Sequence, residues 1–241
     1  MSASAYRSER EQVALACRIL AMEGLVESTL GHVSMRVDGD RFLVRSRRAG
    51  DHGVLFTTAD DIALTDYGGT LAEGEVPTSL PSELPIHGEI LRAHPEWSCV
   101  VHAHSPEVVA CTVAGVELRP VVGAYNVPAF HLAMAQIPTY HFAGLVRTAE
   151  RAAGLLDAMG DASVCLLQGH GLVTAAPSLE AAVLMAIDVH VLARLTVTCQ
   201  QMQHPMREVD PDDYRDLPHF GQDYFDQLWR FYVAKAARAG L

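Results

Sequence analysis

The 241-residue sequence predicts one α/β domain whose largely antiparallel sheet lies between helix layers. Three observations point to this fold. Segments of period 2 and period 3.6 interleave along the chain; they lack the regular strand–helix–strand rhythm of a doubly wound parallel sheet; and the earliest strands are joined by a hairpin turn. Hydrophobic residues make up 49% of the chain and charged ones 20%, enough apolar surface for an ordered core. At roughly 100–200 residues per domain, residues 1–241 need no second domain.

Ser8 and Glu11 have the spacing of a capping box ahead of the apolar stretch 13–22, and Gly24 stands where that first helix should stop. Val33, Met35 and Val37, then Phe42 and Val44, alternate with polar residues about Asp38-Gly39-Asp40, the pattern of a hairpin. A strand over 54–58 follows, then a helix over about 83–93 stopped by Pro95. Residues 98–103 are short, apolar and β-branched, a buried strand that ends in His102-Ala103-His104. Ser105-Pro106-Glu107 then supplies an N-cap, a first-turn proline and an early carboxylate for the next helix. Residues 147–159 have helical period, 163–167 and 172–174 read as strands, and Ser178 caps a long helix reaching about Gln201. The acidic, proline-containing stretch 206–223 is linker-like and opens a C-terminal arm that ends in an aromatic helix over about 222–237.

A formal charge of −11 disfavours nucleic acid and anionic lipid as partners. The dense basic cluster, Arg41, Arg45, Arg47 and Arg48, suits a small anion rather than a polynucleotide groove. No apolar run is seen to approach the roughly 18–20 residues of a membrane span, and the N-terminus is polar, which points to a cytoplasmic protein with no membrane partner. Cys17, Cys99, Cys111, Cys165 and Cys199 form no CxxC and read as reduced core thiols. Of the 18 basic residues only Lys235, close to the C-terminus, is a lysine. Schiff-base chemistry needs a desolvated lysine, so carbanion chemistry in this chain falls to a metal ion.

His102 and His104, two apart on a strand, project from one face and can chelate one ion. Glu83 precedes a helix, and His170 is flanked by Gly169 and Gly171, which let backbone approach closely. Three imidazoles and a carboxylate suit a zinc-type site with an exchangeable position; the alternative is three separate hydrogen-bonded core histidines. His87, four residues after Glu83, either orients it or lies on a helix surface, and His190 packs within the long helix. No dinucleotide fingerprint, phosphate loop or nucleophile elbow occurs.

In order and spacing, Ser82-Glu83, His102-Ala103-His104 and Gly169-His170-Gly171 resemble the class II aldolase and adducin family over about residues 10–200. The resemblance implies a three-layer α/β/α sandwich with an antiparallel central sheet, and a homotetramer with active sites between neighbouring subunits. It also implies one divalent ion per subunit, zinc first, with Mn, Mg or Co as alternatives. His102, His104 and His170 are then the metal ligands and Glu83 the acid/base. Tyr125 falls near the position of the aldolases' proton-donating tyrosine, and His32 is a further candidate for proton transfer. Trp229 and Tyr232 either cover a neighbour's site or pack.

Sugar-phosphate members of that family carry Gly-Asn followed by Ser, a Thr-Gly turn and Ser-Ser-Glu. This chain instead has Gly31-His32-Val33-Ser34, Thr57-Thr58-Ala59-Asp60-Asp61 and Pro81-Ser82-Glu83, and two aspartates oppose a phosphate dianion. These segments, with Arg45-Ser46-Arg47-Arg48, resemble the branch of decarboxylases acting on acids such as 3,4-dihydroxyphthalate or a carboxylated muconic semialdehyde. Ser34, Arg47, Arg48 and Ser82 are then contacts for a small-molecule carboxylate; Arg47 or Arg48 either clamps it in bidentate fashion or belongs to a solvated basic turn. The expected function is a metal-dependent carbon–carbon lyase that decarboxylates a hydroxylated aromatic or related acid through a metal-stabilised enolate. One alternative is a class II aldolase or epimerase for a sugar phosphate or other hydroxy-carbonyl compound. The other is a non-catalytic adducin-like interaction module, a class that loses the histidines retained here.

Overall fold

Helix α1 (Arg7–Met22) recurs in apolar residues every three to four positions and buries Val13, Cys17 and Leu20 on one face. In the computed structural model, which describes residues 6–75 and 79–241, Tyr6 is its N-cap in the left-handed region (φ 59°) and makes no side-chain capping bond. Ser8 therefore lies inside the helix and the expected capping box is absent; Glu11 pairs with Arg7 at 2.9 Å instead.

The hairpin forms as the alternation predicts, β1 (His32–Asp38) pairing with β2 (Arg41–Arg45) so that Ser34 faces Val44. Residues 54–58 are not a strand: Val54–Phe56 is a 3-10 turn, and the Thr57 hydroxyl donates to the Val54 carbonyl at 2.8 Å. A second 3-10 turn, Ala59–Asp61, follows, in which the Asp61 carboxylate accepts from the Thr58 N–H and hydroxyl at 2.8 Å each. The third strand, β3 (Ile62–Asp66), comes only after these turns.

The remaining elements are α2 (Leu84–Ala93), β4 (Cys99–Ala103), α3 (Pro106–Ala114), α4 (Val127–Met134), β5 (Thr139–Tyr140), α5 (Ala149–Met159), β6 (Val164–Leu167), β7 (Gly171–Ala176), α6 (Leu179–Gln201) and α7 (Gln222–Arg238). Ser105, Thr148 and Ser178 cap α3, α5 and α6 by accepting from the N–H three residues on. The strand order is β3-β2-β1-β4-β7-β6-β5. The sheet is mixed, which corrects the expectation of a largely antiparallel one: the other neighbours are antiparallel, but β5 adds to β6 in parallel. Two residues, Thr139 and Tyr140, are too few to show an alternation in sequence.

Successive strand residues face opposite sides, so Leu43 joins one core while Phe42 and Val44 join another. The first core includes Val13 and Ile19 of α1 and Ala182 and Val189 of α6; the second includes Ile86 and Ile90 of α2 and Leu155 of α5. Cys17, Cys99, Cys111 and Cys165 are buried and none of the five cysteines is bridged. Helix α6 corrects one expectation, because 18 of its 23 residues average a hydropathy of 1.7, enough by length and composition to span a membrane. Packing explains that character: 61% of the stretch is buried within the protein.

Asp188 breaks the apolar run of this helix, though not the helix itself, and is 8% exposed. Burial pushes its carboxyl up to about 6, against a hydrogen bond from Asn126 Nδ2 at 2.8 Å. A raised folded-state pKa means that the folded chain holds more protons than the unfolded one between about pH 4 and pH 6, so Asp188 costs stability increasingly as pH rises through that window. Asp188→Asn should therefore stabilise the protein by about 2 kcal/mol near pH 8 and much less near pH 4.5. Calorimetric melts of both proteins at the two pH values check the sign; an equal effect at both would refute the assignment.

Candidate metal centre

Strand β4 runs between β1 and β7, and its register sets His102 opposite His32 of β1 and Val173 of β7. The His102 ring is fixed by Nδ1–H donation to the Leu172 carbonyl at 3.0 Å, which leaves the Nε2 lone pair for a ligand. His104, just past the strand end, brings its Nε2 to 2.9 Å from that nitrogen. His170 sits in the β6–β7 turn, where Gly169 takes φ 63°. A Cβ on Gly171 would stand 2.1 Å from the Ala103 carbonyl oxygen, so only glycine lets β7 come this close beside the histidine pair.

Glu83 is the N-cap residue of α2. Its Oε1 accepts from the Val146 N–H at 2.8 Å, which turns Oε2 to within 3.5 Å of His102 Nε2 and 3.4 Å of His170 Nε2. One ligand atom from each of Glu83, His102, His104 and His170 lies within 4.8 Å of the others.

The cluster is short of hydrogen-bond partners in a way that a cation relieves. Both ring nitrogens of His170 are buried and neither makes a hydrogen bond among the described residues. Such groups are costly unless something engages them. Burial, with the neighbouring His102 and His170 rings, pushes His104 down to about 3, so it is a neutral ligand at ordinary pH. Burial acts to raise the Glu83 carboxyl, but the His102 and His170 contacts outweigh it and hold the group well below the usual carboxylate range. A carboxylate beside three imidazoles is the donor set of a borderline divalent ion.

A cavity of about 220 Å³ opens onto the cluster, with His32, Arg47 and Ser82 in its wall together with Glu83 and His104. Arg45 of the basic cluster also reaches it, but its guanidinium is held by Asp51 (2.7 and 2.9 Å) and Thr57 (3.0 Å). Arg47 donates to the Thr29 carbonyl at 3.1 Å. Arg48 lies outside this lining, with its Nε buried and making no hydrogen bond among the described residues. Asp60 and Asp61 serve the local fold, Asp60 pairing with Arg7 at 2.9 Å. A larger hollow of about 720 Å³, walled in part by Glu117, Arg119 and Tyr214, shares no residue with the cluster.

Three of the residues singled out lie outside the cavity wall. Ser34 is fully buried and its hydroxyl hydrogen bonds to His87 Nδ1 at 2.6 Å, so it meets a histidine where a substrate contact was expected. His87 is neither a surface residue nor a partner of Glu83: it is fully buried, and its Nε2 lies 2.7 Å from His32 Nδ1. Tyr125 is 71% exposed in the loop before α4, outside the cavity wall. His190 anchors α6 to the end of β4 through Ser105, Nδ1 to Oγ 2.9 Å, and Trp229 and Tyr232 pack against the first core.

Comparison with known proteins bears on the family of the chain. The profile of the class II aldolase and adducin N-terminal domain matches residues 11–197. The chain is 44% identical over 234 residues to the 3,4-dihydroxyphthalate decarboxylase of Arthrobacter keyseri, covering 95% of this chain and 94% of that protein. It is 39% identical to the decarboxylase of the same name from Rhodococcus jostii, over 95% of this chain and 96% of that protein. Among solved structures, an aldolase II superfamily protein from Pseudomonas syringae superposes with a TM-score of 0.81 at 19% identity, over 97% of this chain and 94% of the other.

Proposed function

Because the chain belongs to the class II aldolase and adducin family, we propose that it decarboxylates a dihydroxylated aromatic dicarboxylate of the 3,4-dihydroxyphthalate type. It is a carbon–carbon lyase of the carboxy-lyase kind. The observation that carries the substrate is the decarboxylase likeness over 95% of the chain, joined to an arginine, Arg47, in the wall of the cavity beside the cluster.

His102, His104 and His170 would hold the divalent ion, zinc in this reading. When bound, such an ion draws onto the substrate's oxygens the electron pair released as the bond to the carboxylate breaks. Arg47 holds the carboxylate that remains, by charge-assisted hydrogen bonds. Glu83, ionised and anchored by the Val146 N–H, accepts a hydroxyl proton from the substrate and returns it to the ring carbon that lost carbon dioxide. One carboxylate leaves as carbon dioxide, one proton takes its place on carbon, and Glu83 ends as it began. The same reading takes the two-sided packing as a three-layer α/β/α sandwich, residues 1–241 as one domain with an arm from about 206, and the molecule as a cytoplasmic homotetramer. In that assembly the exposed Tyr125 faces a neighbouring subunit's site.

Metal-loaded protein is expected to release carbon dioxide from 3,4-dihydroxyphthalate and to leave L-fuculose 1-phosphate intact. Turnover of the sugar phosphate alone would reverse the assignment. Arg47→Met should raise KM for the aromatic acid by at least about tenfold, equivalent to about 1.4 kcal/mol, with a smaller change in kcat. An unchanged KM places the retained carboxylate elsewhere.

A further inference from the structure

A chain of three side chains leads into the cavity wall from the protein interior. Ser34 Oγ lies 2.6 Å from His87 Nδ1, and His87 Nε2 lies 2.7 Å from His32 Nδ1. Strand pairing sets His32 opposite His102, with ring centroids 5.1 Å apart, so the chain ends beside the candidate metal ligands. With Nδ1 occupied by His87, Nε2 is the nitrogen that His32 can offer to the cavity it lines.

The direction of these bonds follows from satisfaction at the buried end. Ser34 is 0% exposed and, among the described residues, its hydroxyl has one hydrogen-bond partner, His87 Nδ1. If His87 Nδ1 carried the hydrogen, Ser34 would accept it and its own O–H would have no acceptor, the costly arrangement for a buried donor. The satisfied arrangement has Ser34 O–H donating to His87 Nδ1. His87 then carries its hydrogen on Nε2 and donates to His32 Nδ1, and a neutral His32 carries its hydrogen on Nε2.

We propose that His87, backed by Ser34, is a positioning residue that locks His32 as a neutral N–H donor aimed at a substrate oxygen. His32 then stabilises the negative charge gathering on that oxygen and keeps its proton, acting neither as base nor as acid. A neutral donor gives this hydrogen bond without setting a second positive charge beside a divalent cation. The oxygen is named on the decarboxylase reading above: a ring hydroxyl oxygen, or its anion, of the dihydroxylated aromatic acid.

Two measurements test this. Neutron diffraction from deuterated crystals of the metal-loaded protein should place deuterium on Nε2 of both His87 and His32; deuterium on Nδ1 of His32 overturns the proposal whatever the substrate proves to be. His87→Leu should lower kcat for 3,4-dihydroxyphthalate by about 10- to 100-fold, with KM within about twofold and metal content unchanged. His87→Gln should recover most of that loss, because its amide oxygen accepts from Ser34 and its NH₂ donates to His32. Equal loss in the Leu and Gln variants, or none in the Leu variant, overturns the lock. If the wild type fails to turn over the aromatic acid while the deuterium positions hold, the substrate reading fails and the lock stands.

Discussion

Glu83→Gln is expected to retain the divalent ion and to lose about 10²- to 10⁴-fold in turnover. The exchange keeps the shape and the buried acceptor that holds the side chain, since the amide oxygen can still take the Val146 N–H bond that Glu83 Oε1 accepts at 2.8 Å. What it removes is basicity. Oε2 is the carboxylate oxygen turned toward His102 and His170, and an amide in its place cannot take up a hydroxyl proton. Losing one negative charge weakens the site's attraction for a cation, but the three imidazoles remain, so metal analysis should still find near-stoichiometric binding. Carbon dioxide release and metal content measured on the same preparation separate the two effects. A Gln variant with wild-type activity excludes Glu83 from proton transfer; one that has lost its metal recasts Glu83 as a ligand.

Much of this site was legible because its ligands are set by local chain geometry. The two-residue spacing of His102 and His104 is a property of one strand, and the glycines around His170 mark a turn where backbone approaches backbone. The caps at Ser105, Thr148 and Ser178 are likewise local. What stayed hidden depends on contacts between distant segments. Ser34 meets His87 across 53 residues of sequence, and the Val146 N–H meets Glu83 across 63. Asp60 and Asp61 repel a phosphate on paper, yet in the fold one pairs with Arg7 and the other closes a 3-10 turn. The relation between His32 and His102 did leave a trace, because one strand opens on a histidine and the other carries one beside its last residue, but only their antiparallel register brings the rings together.

His170→Ala and His102→Ala are expected to abolish activity equally and to differ in stability, and that difference tests whether a metal is what the cluster is built for. A ligand that binds only the folded state stabilises it by about 2.7 kcal/mol at a hundred times its Kd. Wild-type protein should therefore melt several degrees higher with saturating Zn²⁺ than after chelation, and either substitution should remove most of that gain. The metal-free proteins should not behave alike. His102→Ala deletes a buried hydrogen bond, the Nδ1 donation to the Leu172 carbonyl that ties β4 to β7, so it loses stability without any ion present. His170 makes no hydrogen bond among the described residues, so its removal sacrifices packing and the 3.4 Å approach to Glu83 Oε2 while relieving two buried polar nitrogens. Metal-free His170→Ala should melt close to the metal-free wild type and well above metal-free His102→Ala. If His170→Ala keeps the zinc-dependent rise, or if removing it destabilises the metal-free chain as much as removing His102, the trio is a structural knot in the core and the lyase assignment loses its centre.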